Sequence, residues 1–173
     1  MSMSMRLRHL CLYVFLLVAL AGCSLRLAPS VRPAVESQSA PTFYSELPSR
    51  VLTIGEAELT VEVAVTDASR AQGLSNRASL PPDRGIIFVF DQAGKYSFWM
   101  NRMNFPLDFI WLRHSQVVEV TTDVPPPTAE SPVPVTITPK QSVDAVIEVN
   151  AGWTAQQGVT VGQRVQGLTG LQP

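Results

Sequence analysis

The pattern of apolar and polar positions along the chain predicts a series of short strands. In residues 58–65 (ELTVEVAV) apolar residues alternate with mainly polar ones, which is typical of a strand with one buried face. Residues 86–90 (IIFVF) form a continuous apolar run, which predicts a central strand buried on both faces. Residues 91–94 are predicted to be a hairpin loop, and residues 95–100 (KYSFWM) its returning strand. Further strands are predicted at residues 107–113, 116–124, 143–149 and 159–168.

Turn and cap residues separate these strands and leave room for two small helices. Residues 67–72 are predicted to form a helix that Thr66 or Asp67 caps and Gly73 ends. Residues 151–157 are predicted to form a second helical turn, with Asn150 as its cap. Short strands with only two small helices predict a mainly β fold, either a compact β-sandwich or a partly closed barrel.

The N-terminal residues have the pattern of an export signal. Residues 10–20 form an uncharged apolar run behind a basic flank, and this run is shorter than the roughly 20 residues that a spanning helix needs. Leu20-Ala21-Gly22-Cys23 follows, and it resembles the lipobox of bacterial lipoproteins. We therefore expect a signal peptide at residues 1–22, a lipidated Cys23 with a flexible tether over residues 23–49, and a single β domain over residues 50–170.

The resemblance to lipoproteins also implies a location. Stable anchoring needs two or more acyl chains, which such a cysteine carries. Ser24 follows Cys23, and in lipoproteins of this type that residue implies the outer membrane of a Gram-negative cell, with the domain facing the periplasm. With Cys11 removed in the signal peptide and Cys23 acylated, the mature domain is expected to have no free thiol and no disulfide.

Charge and composition exclude several function classes. From Arg50 onward the chain carries nine Lys or Arg and twelve Asp or Glu, a net charge of 9 − 12 = −3, which argues against a nucleic-acid partner. His114 is the only histidine after the signal peptide, so neither a zinc site nor a Ser-His-Asp triad is expected. No phosphate-binding loop or dinucleotide-binding motif occurs. The sequence therefore predicts no metal, no cofactor and no catalytic residues.

A series of local motifs in order resembles the bacterial and archaeal family called domain of unknown function 192, over about residues 59–165. These motifs include Gly73-Leu74, Arg84-Gly85, Phe98-Trp99-Met100, Pro106-Leu107-Asp108 and Gly152-Trp153, together with Arg77 and Glu148. The resemblance implies a compact, mainly β domain. The chain departs from the family pattern at residues 101–104 and at Gln163.

Asp108 is the most distinctive candidate residue because it lies in an apolar segment. A carboxylate there is costly unless it is paired or hydrogen-bonded. It is either a cleft carboxylate that binds a ligand or acts as an acid or base, or a structural group. The structural alternatives are an ion pair with Arg77, Arg84 or Arg102, and hydrogen bonds from backbone N–H groups.

Other candidate binding residues are Glu148 and Asn150, which flank Val149 at the end of a strand, although Asn150 also suits a helix cap. Alternation places Trp99 on the opposite face from Phe98 and Met100, so one of the two sets is expected in the core. Each tryptophan is either a core residue or part of a binding surface, and a face with Trp99 beside Asn101 and Arg102 is the candidate surface. Arg84 is a further candidate binding residue, which would lie beside Asp108 if that carboxylate opens into a cleft.

The preferred hypothesis is a lipid-anchored envelope protein that acts as a non-catalytic binding or accessory module. Its expected partners are the membrane, through the lipid, and an envelope glycan, peptide or protein. One alternative is a metal-free hydrolase that uses Asp108, with Glu148 or Asp144 as a second carboxylate. Another is a structural envelope protein.

Overall fold

A computed structural model describes residues 47–171 of the chain. These residues form, in order, the elements β1 Ser49–Ile54, β2 Ala57–Ala64, α1 Asp67–Gln72, β3 Arg84–Gly94, β4 Phe98–Trp99, β5 Leu107–Arg113, β6 Gln116–Val124, β7 Thr136–Ile137, β8 Val143–Asn150, α2 Trp153–Gln156 and β9 Val165–Gln166. The prediction of a mainly β fold with two short helices is confirmed. The predicted signal peptide, Cys23 and the tether up to residue 46 lie outside the described residues.

Seven strands form one curled sheet in the order β6-β5-β8-β3-β2-β1-β9, and β4 pairs with β7 in a separate two-stranded sheet. β2 and β3 are parallel, whereas the other neighbouring strands run antiparallel. Helix α1 lies in the connection between the two parallel strands, which need a crossover because a tight hairpin cannot join them.

The sheet curls towards closure through residues 162–166. β9 pairs with β1, and the preceding residues bridge to β6, where Gln116 faces Arg164. The N–H of Val117 donates to the Gln163 carbonyl over 2.9 Å, and the N–H of Val165 donates to the Ser115 carbonyl over 2.8 Å. Because one segment contacts both outer strands, the fold is a partly closed barrel, one of the two predicted alternatives.

Each face of the sheet packs against its own apolar core. One core lies inside the curl and is closed at one end by Trp153 of α2. The second core lies on the outer face, where Leu74, Leu80, Met100, Met103 and Ile137 cover the sheet. It contains Phe88, Phe109 and Trp111. Alternation along β5 explains this division, since Ile110 and Leu112 face the first core while Phe109 and Trp111 face the second.

Several local predictions are confirmed. Helix α1 has the predicted bounds, and the Thr66 side chain accepts a hydrogen bond from the Ser69 N–H as its N-cap. The turn between β5 and β6 is at His114 and Ser115, which both have positive φ, 50° and 61°. Two central residues with positive φ fit the type of turn whose twist matches that of a hairpin.

The predicted hairpin at residues 91–94 is wrong. β3 continues through these residues to Gly94, which pairs with Val143 of β8 after a bulge. Both edges of β3 are occupied, by β2 and β8, so residues 95–100 cannot return beside it. Instead Phe98 packs edge-on against Phe88 with ring centroids 5.0 Å apart, and β4 crosses the outer face of the sheet.

Three other predictions need correction. Asn150 ends β8 and does not cap the following helix, because Gly152 is the N-cap residue of α2. The predicted closing strand over residues 159–168 is reduced to β9, since residues 159–164 turn to contact β6. β1 was not predicted. Within residues 47–171, no helix is long and apolar enough to cross a membrane.

Candidate functional site

Glu148 occupies a central position on the outer face of the sheet. It pairs with Ile86 on one side and Phe109 on the other, and Ile86 also pairs with Glu62. This register places two carboxylates, Glu62 and Glu148, on either side of Ile86 in one row across β2, β3 and β8. All of these side chains therefore face the second core.

The Glu148 side chain is buried without a hydrogen-bond partner. The residue is 6% exposed, and no hydrogen bond to its carboxyl group is found among residues 47–171. Within the same residues no completely enclosed side-chain nitrogen or oxygen lacks a partner. The Glu148 oxygens must therefore border accessible space, since they are unpartnered and yet are not enclosed.

That space is a small cavity, which we call the Glu148 cavity, with a volume of about 30 Å³. Its apolar lining is contributed by the outer face of the sheet, by β4 and by two loops, and consists of Leu74, Phe88, Phe98, Met103 and Leu107. Trp99, Arg70 and Ser75 also line it. A volume of this size holds one water molecule or one small chemical group.

Burial in this apolar setting raises the pKa of the Glu148 carboxyl to about 8, against a smaller opposing effect of the Arg77 guanidinium. Desolvation disfavours the charged form of a carboxyl group. At about pH 7 Glu148 is therefore mainly a neutral carboxylic acid, which both donates and accepts hydrogen bonds.

The nearby charges neutralise one another. Arg77 forms two parallel hydrogen bonds to Glu62, each 2.6 Å long, and both side chains are 13% exposed. A bidentate guanidinium–carboxylate pair is strong and geometrically specific. Among the described residues Arg77 forms no hydrogen bond to Glu148, so its guanidinium lowers the pKa of Glu148 only through its field.

Two loops that line the Glu148 cavity are tied together. The Ser75 hydroxyl donates to the Asn101 carbonyl over 3.0 Å, and the Asn76 N–H donates to the Arg102 carbonyl over 2.8 Å. The Asn104 side chain adds a bond of 2.8 Å to the Arg77 carbonyl. These bonds hold the Leu74 and Met103 walls in place, so the cavity is preformed.

Trp99 lies at the mouth of the Glu148 cavity and is 63% exposed. Its strand β4 is held by pairing with β7 and by Phe98, which packs against Phe88, Phe109 and Trp111. Alternation then turns the Trp99 ring outwards, on the face opposite Phe98 and Met100. By contrast, Trp111 and Trp153 are buried in the two cores.

Asp108 lies apart from this site. Its carboxylate is fully buried in the end of the barrel and accepts bonds from the Asp123 N–H (2.9 Å), the Thr154 N–H (3.1 Å) and the Thr154 hydroxyl (2.6 Å). Of the structural alternatives, hydrogen bonding to backbone N–H groups is present, whereas Arg77 pairs with Glu62. Asp108 thereby fastens α2, which closes the barrel end, to β5.

Asn150 and Arg84 also lie away from the cavity lining. The Asn150 amide donates to the carbonyls of Leu80 and Pro81 over 2.9 and 3.2 Å, so it fixes the loop before β3. Arg84 is half-buried and begins β3 two residues before Ile86. Of the predicted binding residues, the structure brings together Glu148 and Trp99, with the Asn101 backbone behind the cavity wall.

Sequence reasoning missed the loop residues Leu74 and Met103 and the Arg77–Glu62 pair. The only signal for the pair was an arginine in a loop and a glutamate on the polar side of β2, which do not by themselves indicate contact. No group of three or more His, Cys, Asp or Glu side chains in the described part of the chain is placed to hold a metal ion.

A second depression has a larger volume, about 470 Å³, and lies beside α1. Its main cation, Arg70, already binds Asp67 over 2.7 Å and the Val89 carbonyl over 2.9 Å. The Arg70 guanidinium also lies 5.5 Å from the ring centroid of Phe90, which stacks on Tyr96. The depression is open to solvent and its arginine is already paired, so it offers a weaker site than the Glu148 cavity.

The chain is similar to a known protein family and to solved structures. The family model for DUF192, described as an uncharacterized ACR, matches residues 50–167. Among solved structures, a candidate transcription regulator from Sinorhizobium meliloti 1021 is 26% identical with a TM-score of 0.64, covering 71% of this chain and 96% of that one. A protein of unknown function from Novosphingobium aromaticivorans DSM 12444 is also 26% identical, with a TM-score of 0.63 and coverages of 71% and 88%. No curated protein matches the chain.

Proposed function

Since the chain belongs to the domain of unknown function 192 family, we propose that it is a binding module of the bacterial envelope, anchored by lipid on Cys23. Its ligand is an envelope component that contacts Trp99 and the Glu148 cavity. The observation that carries this proposal is the buried, unpartnered Glu148 carboxyl group, open to a preformed cavity beside an exposed tryptophan.

The cost of leaving Glu148 unpartnered supports a binding role. A buried polar group without a hydrogen bond costs about 1–3 kcal/mol, and the neighbouring Asp108 and Asn150 show how readily this fold satisfies such groups. A ligand that hydrogen-bonds to Glu148 recovers this cost. An exposed aromatic ring at the mouth adds apolar contact area at a small entropic cost.

A hydrolase that uses Asp108 finds no support in the geometry. The Asp108 carboxylate has no contact with solvent and accepts three hydrogen bonds, so a substrate cannot reach it. The neighbour from S. meliloti is described as a candidate transcription regulator. For this chain the net charge of −3 from Arg50 onward argues against contact with DNA.

The proposal is tested by cosedimentation of the full chain with bacterial envelope fragments from which the lipid has been extracted, so that the lipid on Cys23 cannot itself hold the protein on them. Trp99→Ala should weaken binding by about ten-fold, which corresponds to about 1.4 kcal/mol for a lost aromatic contact. Val161→Ala is the matched control, because Val161 is equally exposed at 63% and is not part of the cavity lining. Equal binding by wild type and Trp99→Ala would contradict the proposed surface.

The anchor needs its own test, because it is independent of the binding surface. Cys23→Ala should abolish incorporation of labelled palmitate and release the protein from membrane fractions. Release from the membrane with unchanged binding to envelope fragments is the expected combination. Continued membrane retention of the cysteine variant would refute the lipid anchor and leave the binding surface standing.

A further inference from the structure

The size of the Glu148 cavity restricts what can enter it. Its volume of about 30 Å³ exceeds the roughly 10–15 Å³ that one water molecule requires and is far below the roughly 150 Å³ of a cavity that admits benzene. A bulky side chain or a sugar ring is therefore too large, whereas a small terminal group such as a hydroxymethyl can enter. The rest of the ligand must then lie outside, against the rim.

The charges around the cavity favour an uncharged group. The two guanidinium groups nearest to it, Arg70 and Arg77, are paired with Asp67 and Glu62. An entering carboxylate would meet two arginines that already have partners and two other carboxyl groups, so it would lose its hydration without a free cation to pair with. An entering ammonium group would find only the carboxyl group of Glu148, which burial keeps mainly neutral near pH 7, and would meet the two arginines as well.

The hydrogen-bonding capacity of Glu148 matches a hydroxyl group. A neutral carboxyl donates one hydrogen bond and accepts others, and a hydroxyl group does the same. Burial favours this neutral form, since it raises the pKa of Glu148 to about 8. The apolar walls, Leu74, Phe98 and Met103 among them, suit the methylene of a hydroxymethyl group.

Trp99 provides a platform for the part of the ligand that remains outside. The ring is exposed at the mouth, while pairing of β4 with β7 and the packing of Phe98 hold its backbone. An aromatic face offers a flat apolar surface with a polar edge. The C–H face of a pyranose ring is complementary to such a surface.

We propose that the Glu148 cavity binds the exocyclic hydroxymethyl group of a hexose whose ring lies on Trp99. This inference rests on the proposed function and specifies its ligand as an envelope glycan that contains hexose units. It assigns two separable roles: Trp99 provides affinity for sugar rings in general, and Glu148 distinguishes hexoses from rings that lack the hydroxymethyl group.

The test is an NMR titration of the ¹⁵N-labelled full chain in detergent micelles, with methyl β-glucoside and methyl β-xyloside as probes. The two sugars have the same ring, and only the glucoside has the hydroxymethyl group. The indole N–H signal of Trp99, assigned with Trp99→Phe, reports binding. We expect the glucoside to bind about ten-fold more tightly, the factor expected for one buried hydrogen bond with its apolar contacts.

Two variants separate hydrogen bonding from charge. Glu148→Gln keeps a donor and an acceptor in the same place and should retain the preference for the glucoside. Glu148→Leu fills the cavity with apolar atoms and should abolish the preference, while xyloside binding stays within about two-fold. If the leucine variant does not fold, the inference is still tested by the affinities of the wild type and of the glutamine variant for the two sugars.

Three outcomes would overturn the inference. Equal affinities for the two sugars, with a moving Trp99 signal, would show that no hydroxymethyl group is recognised, although the binding surface would stand. Tighter binding of methylammonium than of the glucoside would make the cavity a cation site. If neither the sugars nor fragments of the bacterial envelope move the Trp99 signal, the proposed function fails together with this inference.

Discussion

Asp108→Ala is expected to destabilise the fold strongly, because Asp108 joins three parts of the barrel end. Its carboxylate accepts hydrogen bonds from Thr154 in α2 and from Asp123 near the end of β6, while the residue itself belongs to β5. The alanine variant loses all of these acceptors at once. It leaves the Thr154 N–H and hydroxyl groups, both buried, without partners.

The magnitude follows from the number of donors left unpaired. A buried donor without an acceptor costs about 1–3 kcal/mol, and Thr154 supplies two such donors. The third donor, the N–H of Asp123, belongs to an exposed residue and is partly solvated by water. We therefore expect a loss of about 3–5 kcal/mol for Asp108→Ala, and about 1–2 kcal/mol for Asp108→Asn, which retains one carbonyl acceptor.

Urea denaturation of the full chain, followed by tryptophan fluorescence, measures this loss, since Trp111 and Trp153 are buried in the two cores. Thermal melting should show a decrease of about 10–20 °C for the alanine variant. Asp83→Ala is a suitable control because Asp83 is exposed and its side chain makes no ion pair among the described residues. The control should change the free energy of unfolding by less than about 0.5 kcal/mol.

A loss below about 1 kcal/mol for Asp108→Ala would contradict the structural role assigned to the carboxylate, because two unpaired buried donors cost more than that. Such a result, together with reduced binding to envelope fragments, would indicate that Asp108 takes part in binding. A large loss of stability in Asp108→Ala with a small loss in Asp108→Asn would support hydrogen-bond acceptance as its role.

Three further predictions follow from the outer face of the sheet. The pKa of Glu148 is raised from 4.5 to about 8, so Glu148 ionises in the unfolded chain at a lower pH than in the folded protein, and the free energy of unfolding of the wild type should fall by on the order of 3 kcal/mol from about pH 5 to pH 8. Urea titrations at a series of pH values should show this fall in the wild type and not in Glu148→Gln. The same dependence on pH in both proteins would contradict the prediction. Arg77→Met leaves Glu62 unpaired, so it should cost about 2–3 kcal/mol and raise the pKa of Glu148 in a ¹³C titration, whereas an unchanged or lowered pKa would disprove the field effect of Arg77. Gly85→Ala would place a Cβ 2.7 Å from the Glu148 carbonyl oxygen and should cost about 1–3 kcal/mol in thermal melts; a neutral substitution would show that β3 and β8 are not so closely packed.

The elements that sequence patterns predict well are those whose structure depends on neighbours in the chain. Alternation over residues 58–65 predicts β2 because one face of the strand is buried, and Thr66 and Gly73 mark the ends of α1. The hairpin of β5 and β6 also follows from local signals, a strand pattern on each side of a two-residue turn. Strand pairing at a distance is different, since the parallel register of β2 and β3 has no local signal.

The hairpin predicted at residues 91–94 fails for the same reason. Turn-forming residues there would permit a hairpin, but both edges of β3 are occupied, and Phe98 gains more contact by packing on Phe88 and Trp111. The bridge of Gln116 to Arg164 likewise joins residues far apart in sequence. Pairing of this kind depends on the completed sheet, and a short stretch of sequence carries no information about strands that are distant in the chain.

The candidate site was predictable in part. Alternation in residues 98–100 correctly placed Trp99 and Met100 on opposite faces, but it did not indicate which of the two faces is buried. Glu148 and Asn150 looked equivalent in sequence, yet the structure leaves Glu148 unpartnered in a cavity while Asn150 bonds to the carbonyls of Leu80 and Pro81. The difference arises from residues some 70 positions away, so the strand pattern around them could not reveal it.

The most direct test of the central claim is the carboxyl signal of Glu148 in the ¹³C NMR spectrum of the full chain, measured across pH with and without fragments of the bacterial envelope. We predict a free-state pKa near 8 and a shift of this signal on addition of fragments, with the Trp99 indole signal moving at the same concentrations. A Glu148 signal that titrates near its ordinary value and does not shift with any fragment would contradict the proposal, since Glu148 would then be neither desolvated nor part of a binding site.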